Sequence, residues 1–332
     1  MIISMPLIGG SLVKAVDDGG FSVQVTPSSL IATIEPGKKS TLELRINNSG
    51  SKTETFKMGL SSFSINETTG NVDLGNEEPK DIASFVSFDQ PEFSIEPGQW
   101  INQRVFIDTP VDAGFSYSFA IMVLRSEKII PQNGGASLQG SVAVFTLLNV
   151  NRSDAVRKIE VLEFTSKQKV YEYLPTEFSI TIKNSGNTIV APKGNVFISR
   201  KAGDVNPIDV LQVNQSGGYT LPDTSRKLNM EWNNGFPAYE QVNGVPKLVW
   251  DYSNLSKLRI GKYTAKAIVI YDDGERDVPI EAIVSFWVIP WKIIGGLLLL
   301  LTLVFVGVFT TIKKSSSLFK RKPKKAKENI KE

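Results

Sequence analysis

The sequence predicts an all-β protein made of two tandem β-sandwiches and a single C-terminal transmembrane α-helix. Alternation of apolar and polar residues, which is the period of a β-strand, dominates residues 16–290. One strand pattern recurs 136 residues later within that region, and an uncharged run of 20 residues, 293–312, follows it. A helix of 20 residues rises about 30 Å, which is the thickness of a bilayer core.

Residues 1–15 predict the remnant of a secretory signal peptide. The segment is apolar through Val13, and small side chains at Val13 and Ala15 suit cleavage after Ala15. The usual basic start is missing, which indicates a shortened or misassigned start, and a folded first strand is the alternative. We favour the signal peptide because a C-terminal anchor requires an export signal.

Short strands separated by turn residues account for most of the chain. Pro-Gly at 36–37 and 97–98 and Asp-Gly at 273–274 mark turns between them. Strands at this spacing predict sandwiches, and no long stretch outside the anchor has helical spacing. The predicted strands are 21–25, 41–47, 103–108, 116–124, 142–148, 177–183, 195–199, 227–232, 263–271 and 280–287.

An internal repeat divides these strands into two related units. The alternating strand that ends in Asn48-Ser-Gly50 recurs as one that ends in Asn184-Ser-Gly186. We expect the Asn and Gly of both copies to adopt the positive φ of a tight turn. A Gly-containing corner before a late strand, 114–117, likewise recurs at 261–263. The repeat predicts two immunoglobulin-like sandwiches, 16–152 and 153–290, with the boundary in the polar stretch 151–157.

The flanks of the apolar run predict its orientation in a membrane. Trp287 and Trp291 suit the headgroup layer, and Lys292 can extend its ammonium group toward water. Lys313 and Lys314 begin a tail that holds nine basic and two acidic residues. Basic flanks stay cytoplasmic, so we predict a transmembrane helix at 291–312, a cytoplasmic tail at 313–332 and an extracellular remainder. A buried core helix, the alternative, is usually shorter and lacks the basic flank.

The charge of the chain is unevenly distributed. The net charge is +3, the tail carries +7, and the other 312 residues therefore carry −4. The basic pI is thus a property of the tail, which predicts contact with anionic lipids, worth about 1 kcal/mol per basic residue, and no nucleic-acid binding. The absence of cysteine from an external protein favours a bacterial or archaeal surface, because animal secreted domains often use disulfides.

The composition also argues against an enzyme. The chain has no histidine and no cysteine, which removes the usual general base, zinc ligands and thiol nucleophiles. We predict no cofactor and no catalytic residue. The acidic segment 272–277 could begin a calcium site, but a solvated Asp-Gly hairpin turn is favoured because the EF-hand spacing is absent.

The candidate binding residues are aromatic. Residues 233–256 form the longest irregular stretch and carry Phe236, Tyr239, Trp250 and Tyr252. Rings on a loop can stack on sugar faces or anchor a protein partner. The alternative, which we weigh more heavily, is that these rings close one end of the second sandwich with Trp250 in its core.

The architecture resembles a family of bacterial surface proteins. Phe93-Ser-Ile-Glu-Pro-Gly98, Val105-Phe-Ile-Asp-Thr-Pro110, Gly114 and Tyr117 resemble the pilus-chaperone-like first domain found in such proteins. The order of elements over almost the full chain is similar to the WxL-interacting protein family, which has two immunoglobulin-like domains, one C-terminal transmembrane helix and a basic tail. The resemblance implies binding to cell-wall polymer and partner proteins.

Two functions follow as hypotheses. The first is a non-enzymatic, membrane-anchored surface protein of a prokaryote that binds cell-wall polymer or a secreted or surface protein. The second is a scaffold or accessory subunit of an envelope complex for secretion, pili or sensing, which holds its partner through the helix. Gly295, Gly296 and Gly307 would let a neighbouring helix approach closely.

Overall fold

A computed structural model describes residues 21–126, 140–201 and 203–319, with side chains described as far as Lys313. The predicted signal peptide at 1–15, the side chain of Lys314 and most of the predicted tail lie outside the described residues.

The first sandwich consists of two facing sheets with the strand orders β1-β3-β9-β7 and β2-β11-β10-β4-β8. A small separate hairpin, β5-β6, and a single helical turn, α1, follow β4 and precede β7 in the chain. The elements are β1 (Val23–Thr26), β2 (Ser29–Ile34), β3 (Lys39–Asn48), β4 (Glu54–Ser61), β5 (Phe63–Ile65), β6 (Val72–Leu74), α1 (Lys80–Ala83), β7 (Val86–Phe88), β8 (Glu92–Ile95), β9 (Trp100–Asp108), β10 (Ser116–Arg125) and β11 (Ser141–Val150).

The second sandwich has sheets in the orders β12-β14-β17 and β13-β21-β20-β15-β16, with a hairpin, β18-β19, and one turn of 3-10 helix at Tyr252–Lys257. Its strands are β12 (Ile159–Ser166), β13 (Val170–Tyr171), β14 (Thr176–Asn184), β15 (Lys193–Ser199), β16 (Asp209–Val213), β17 (Ser225–Trp232), β18 (Ala238–Val242), β19 (Val245–Val249), β20 (Gly261–Asp272) and β21 (Asp277–Val288).

The two sandwiches share one topology. In each, a strand near the start of the unit pairs in parallel with its last strand, β2 with β11 and β13 with β21. The remaining neighbours in both five-stranded sheets are antiparallel and follow the same order. One difference stands out: β7 pairs with the outer edge of β9, and no described strand pairs with the corresponding edge of β17. The fold is all-β and immunoglobulin-like, as the alternation predicts.

Each sandwich has its own apolar core, because alternate residues of its strands point between the sheets. The first core includes Phe56 and Phe119, and the second is built around Trp232, Tyr263 and Phe286, whose rings lie 5.3–6.0 Å apart. A smaller cluster joins the two units, since Leu147 of β11 packs with Ile189. The predicted limits 16–152 and 153–290 stay predictions, although the two large cores share no residue.

The internal repeat is confirmed, but the expected reason for it is wrong. Asn48 ends β3 and Asn184 ends β14, which are the equivalent strands of the two units. Among the described residues with positive φ, none is an Asn or Gly of these two motifs. Instead the asparagine side chain closes the turn: its Oδ1 accepts a hydrogen bond from the backbone N–H of Gly50 or Gly186, at 2.9 and 3.0 Å.

All ten predicted strands are present, several extended by one to three residues at an end. The prediction that 233–256 is irregular is wrong, because this segment contains the β18-β19 hairpin. Asn243 and Gly244 both have positive φ and form its two-residue turn. Asn-Gly is the preferred pair for such a turn, so the signal was in the sequence.

The chain leaves the second sandwich through α2 (Trp291–Phe319). Its segment Trp291–Lys313 is the single helix within the described residues that is long and apolar enough to cross a membrane. The side chains described along it are exposed, so it is not the core helix that the sequence left as an alternative.

Candidate functional site

The four predicted aromatic residues come together in space, along with one ring that the sequence analysis missed. The ring centroid of Phe236 lies 5.8 Å from that of Trp250 and 5.7 Å from that of Tyr252. Tyr173 lies 6.3 Å from both Tyr239 and Trp250 and joins the set. We call these five residues the aromatic cluster. Tyr173 comes 63 residues before Phe236, and the sequence offers no local signal that would link the two.

The members of the aromatic cluster differ in exposure. Phe236 is buried, and its N–H donates to the carbonyl of Lys257. Trp250 is 43% exposed and Tyr252 is 72% exposed. The alternative that placed Trp250 in the core is wrong, because almost half of this side chain is exposed. Tyr173 is also buried, and this burial raises the pKa of its hydroxyl group.

The aromatic cluster lies at the end of the second sandwich from which α2 leaves. Glu172, next to Tyr173, is buried, and its Oε2 lies 2.7 Å from the Nζ of Lys292 in the first turn of α2. A hollow of about 290 Å³ is lined by Tyr173, Tyr239 and Trp291. The ion pair and the hollow place the cluster beside the start of the apolar helix.

The remaining predicted interface residues surround this junction. Trp287 lies in β21, half exposed, and its N–H donates to the carbonyl of Lys169. Two residues later Ile289 donates to the carbonyl of Tyr171, and α2 begins at Trp291. The link between sandwich and helix is thus short and hydrogen-bonded to the neighbouring strand. Lys313 ends the apolar segment, as predicted.

The acidic segment 272–277 forms the hairpin turn between β20 and β21. Asp272 Oδ1 accepts a hydrogen bond from the N–H of Gly274, and Asp273 Oδ1 accepts from the N–H groups of Glu275 and Arg276. These backbone hydrogen bonds lower the pKa of Asp273. No group of three or more acidic, histidine or cysteine side chains suited to a metal ion occurs in the part of the chain that is described.

A second candidate site is a groove of about 720 Å³ along the open side of the second sandwich. Its walls are β16 and β17, and the core side chains Leu228 and Met230 lie at its base. At one end the indole N–H of Trp232 donates to Asp209 Oδ2 at 3.0 Å. At the other end a guanidinium N–H of Arg226 donates to the carbonyl of Tyr219. We call this the β16–β17 groove.

The outer edge of β17 forms one rim of the β16–β17 groove. Its first residues are paired with the first sandwich: the N–H of Lys227 donates to the carbonyl of Glu67 at 2.8 Å, and the N–H of Ser225 donates to Glu67 Oε1 at 3.3 Å. Alternate residues of an antiparallel strand direct their N–H and C=O groups to the same side. The backbone groups of Asn229 and Glu231 therefore point outward too.

The equivalent edge in the first sandwich is covered. There β7 pairs with β9 through the register Val86↔Ile107 to Phe88↔Val105, and Val86 is buried. Within the described residues no strand pairs with the outer edge of β17 from Leu228 to Trp232. The sequence analysis missed this site, because an uncovered edge depends on which strands become neighbours and leaves no local pattern.

Comparisons with known proteins give similarity of fold. No protein-family model matches the sequence, and no curated protein matches it significantly. Among solved structures, the class 5 fimbriae chaperone CfaA matches with a TM-score of 0.40 and 11% identity, over 78% of this chain and 98% of that one. The E. coli chaperone DraB matches with a TM-score of 0.36 and 14% identity, over 79% and 99%.

The YadV chaperone gives similar values, with a TM-score of 0.38, 10% identity and coverage of 79% and 99%. At these identities and TM-scores the likeness is one of immunoglobulin-like fold alone and carries no conclusion about function. Membership of the WxL-interacting protein family, which the order of elements resembles, stays a prediction.

Proposed function

We propose that this protein is a non-enzymatic, single-pass binding protein of a prokaryotic cell surface, and that its second sandwich binds an extended segment of a partner protein. The observation that carries the proposal is the outer edge of β17 beside the β16–β17 groove, which no strand in the described part of the chain covers. Unpaired backbone groups at an exposed edge accept a further strand through main-chain hydrogen bonds.

The first sandwich indicates what kind of segment fits this edge. In the first sandwich the same place in the same topology is filled by an extended segment, β7, whose Val86 packs into the core. At the upper end of β17, Glu67 already supplies backbone and side-chain acceptors to two N–H groups. An extended polypeptide would continue this pairing past Asn229 and Glu231.

The dimensions limit what can bind. From Lys227 to Trp232 the edge is about 17 Å long, which accommodates a strand of about five residues. Leu228 and Met230 at the base of the groove favour apolar side chains at alternate positions of that strand. A partner segment with this alternation would bury its apolar face against the core of the second sandwich.

Membrane anchoring rests on α2 and its flanks. The segment Trp291–Lys313 is apolar, and a basic tail follows it. Basic flanks stay cytoplasmic, so both sandwiches would lie outside the cell. If α2 crosses the membrane, the aromatic cluster lies beside the bilayer and away from the bulk of the wall, which does not favour cell-wall polymer as its ligand.

A scaffold role through the helix is the alternative, favoured by the small residues on α2. A Cβ built at Gly295, Gly296 or Gly307 meets no atom within 4 Å, so another helix could approach there. Replacing residues 291–312 with an unrelated transmembrane segment separates the two functions. Partner binding that survives the replacement supports the β17 edge, and binding that is lost supports the helix.

Photocrosslinking in intact cells tests the proposal directly. A photoreactive amino acid is placed at Asn229 on the open edge and, as a matched control, at the exposed Ser87 on β7. We expect a crosslink from position 229 to one stretch of a partner protein with alternating apolar residues, and none from position 87. The absence of a crosslink at 229, or identical crosslinks at both positions, would argue against strand addition.

A further inference from the structure

A group of exposed apolar side chains, which shares Trp250 and Tyr252 with the aromatic cluster, lies at the end of the second sandwich where α2 begins. We call it the basal patch: Trp250, Tyr252, Leu255, Leu258 and Ile260. Each is between 43% and 72% exposed, and the 3-10 helix Tyr252–Lys257 contains no buried residue. Such a concentration of exposed apolar residues in a short segment needs a partner surface.

Two connections place the basal patch beside the apolar helix. At one end, Ile260 directly precedes Gly261, which pairs with Val288, three residues before α2 begins at Trp291. At the other end, the ring of Trp250 lies 6.3 Å from that of Tyr173, whose neighbour Glu172 holds Lys292. The patch therefore lies level with the first turn of α2.

The charge around the basal patch differs from that of the rest of the external part. Residues 250–262 contain Lys257, Arg259 and Lys262 against one acidic residue, Asp251. Asp251 is occupied as the cap of the 3-10 helix, where it accepts hydrogen bonds from Ser253 and Asn254. The segment carries a net charge of +2, whereas residues 1–312 together carry −4.

We infer that the basal patch lies in the outer leaflet of the membrane, so that the second sandwich rests on the bilayer through a second contact besides α2. Tryptophan and tyrosine favour the headgroup layer, where the ring is buried and its polar atom stays in water. Leucine and isoleucine gain free energy by leaving water, and Lys257 and Lys262 attract anionic headgroups. The guanidinium of Arg259 instead donates to the carbonyl of Asn234 and lies over the ring of Trp232. The hydrogen-bonded junction holds the patch in position for this contact.

This inference rests on the proposed membrane anchoring and goes beyond it, because a helix with a free sandwich above the membrane would anchor the chain equally well. The absence of cysteine from the sequence makes the test clean, since one introduced cysteine takes one nitroxide label. The full chain is reconstituted in vesicles of phosphatidylcholine and phosphatidylglycerol. Collision of the label with oxygen, which enriches in lipid, is compared with collision with a water-soluble nickel chelate.

The collision ratio is measured for four single-cysteine variants. Leu255→Cys and Tyr252→Cys report on the basal patch, and Val111→Cys, 82% exposed on the first sandwich, is the aqueous control. Leu301→Cys, near the middle of the apolar segment, is the membrane control. We expect the oxygen-to-nickel collision ratio at 252 and 255 to exceed that at 111 several-fold, and to fall below that at 301.

Each other outcome overturns the inference in a distinguishable way. Labels at 252 and 255 that behave like the label at 111, while the label at 301 reports lipid, would show that α2 anchors the chain and that the basal patch does not touch the membrane. Labels at 252 and 255 that are shielded from both reagents would show that protein covers the patch. A label at 301 that behaves like the label at 111 would contradict both the docking and the proposed anchoring.

Discussion

Asn184 makes the same hydrogen bonds in the second sandwich that Asn48 makes in the first, 136 residues earlier. The Nδ2 of Asn48 donates to the carbonyls of Lys52 and Ile95. The Nδ2 of Asn184 donates to the carbonyls of Thr188 and Thr220. In both units, therefore, one buried amide joins the end of the third major strand to the fourth residue after it and to a distant segment.

Removal of either asparagine should destabilise its own sandwich. Asn184→Ala removes the Nδ2 donor to the buried carbonyl of Thr188 and one of the two donors to that of Thr220, and it leaves Gly186 N–H without its acceptor. We therefore expect a loss of about 3 kcal/mol in the free energy of unfolding. Urea unfolding of the full chain in detergent measures this. The exposed Asn102→Ala is the control and should change stability by less than about 0.5 kcal/mol. Equal effects of the two substitutions would contradict this role for Asn184.

A buried ion pair in the first sandwich gives a second prediction. Arg125 donates two hydrogen bonds of 2.7 Å to Glu54, and both side chains are almost fully buried. Arg125→Met leaves the Glu54 carboxylate buried without its partner and should cost about 3–5 kcal/mol. The double variant Glu54→Leu/Arg125→Met should regain most of that loss, because no buried charge remains. A double variant as unstable as the single one would contradict this explanation.

The turn between β20 and β21 predicts a pH dependence. Hydrogen bonds from the backbone of Glu275 and Arg276 lower the pKa of Asp273 below its usual 3.8. A carboxyl group with a depressed folded-state pKa stabilises the turn above its unfolded-state pKa, and this stabilisation is lost as pH falls through the folded value. In NMR titrations, the amide signals of Glu275 and Arg276 should shift with a midpoint below pH 3.8.

Asp273→Asn is the control for this titration, because it keeps an acceptor oxygen but cannot ionise. Its amide signals at 275 and 276 should not shift with the same midpoint. A wild-type midpoint above pH 3.8 would show that the turn does not hold the ionised carboxylate.

Substitutions at Asn229 test the strand-addition proposal at the level of one N–H group. Asn229→Pro removes an N–H that points away from β14, so the partner should be lost while the fold remains. Asn229→Ala keeps the N–H and should retain the partner. The photoreactive group for this comparison is placed at Glu231, the next outward-facing residue, and far-UV circular dichroism checks the fold. Binding by the proline variant would contradict main-chain pairing at this edge.

The parts of the fold that depend on local pattern could be predicted from the sequence. Alternation of apolar and polar residues defined strands such as β3, β14 and β20, and the Asn-Ser-Gly repeat correctly paired the two units. The apolar run and its flanks indicated α2. The four aromatic residues selected between 236 and 252 lie close together, Tyr239 through its contact with Tyr173. Their role in binding stays a prediction.

The parts of the fold that depend on residues far apart in the sequence could not be predicted. β4 begins with Glu54, whose burial follows from Arg125, 71 residues later, so its charge hid the strand. Tyr173 reaches the aromatic cluster because the next residue, Leu174, bridges in parallel to Ala238 and its carbonyl accepts from the N–H of Tyr239. The open edge of β17 is recognised by comparison with the first sandwich, where β7 covers the equivalent edge of β9. The Asn243-Gly244 hairpin is different, because its signal was local and was overlooked.

Labelling in intact cells tests most directly the central claim that two sandwiches stand outside the membrane on one helix. Val111→Cys and Lys325→Cys are introduced singly into the cysteine-free chain and treated with a membrane-impermeant maleimide. We predict that Val111→Cys is labelled in intact cells and that Lys325→Cys is labelled after permeabilisation alone. Labelling of Lys325→Cys in intact cells, with Val111→Cys protected until permeabilisation, would contradict the account.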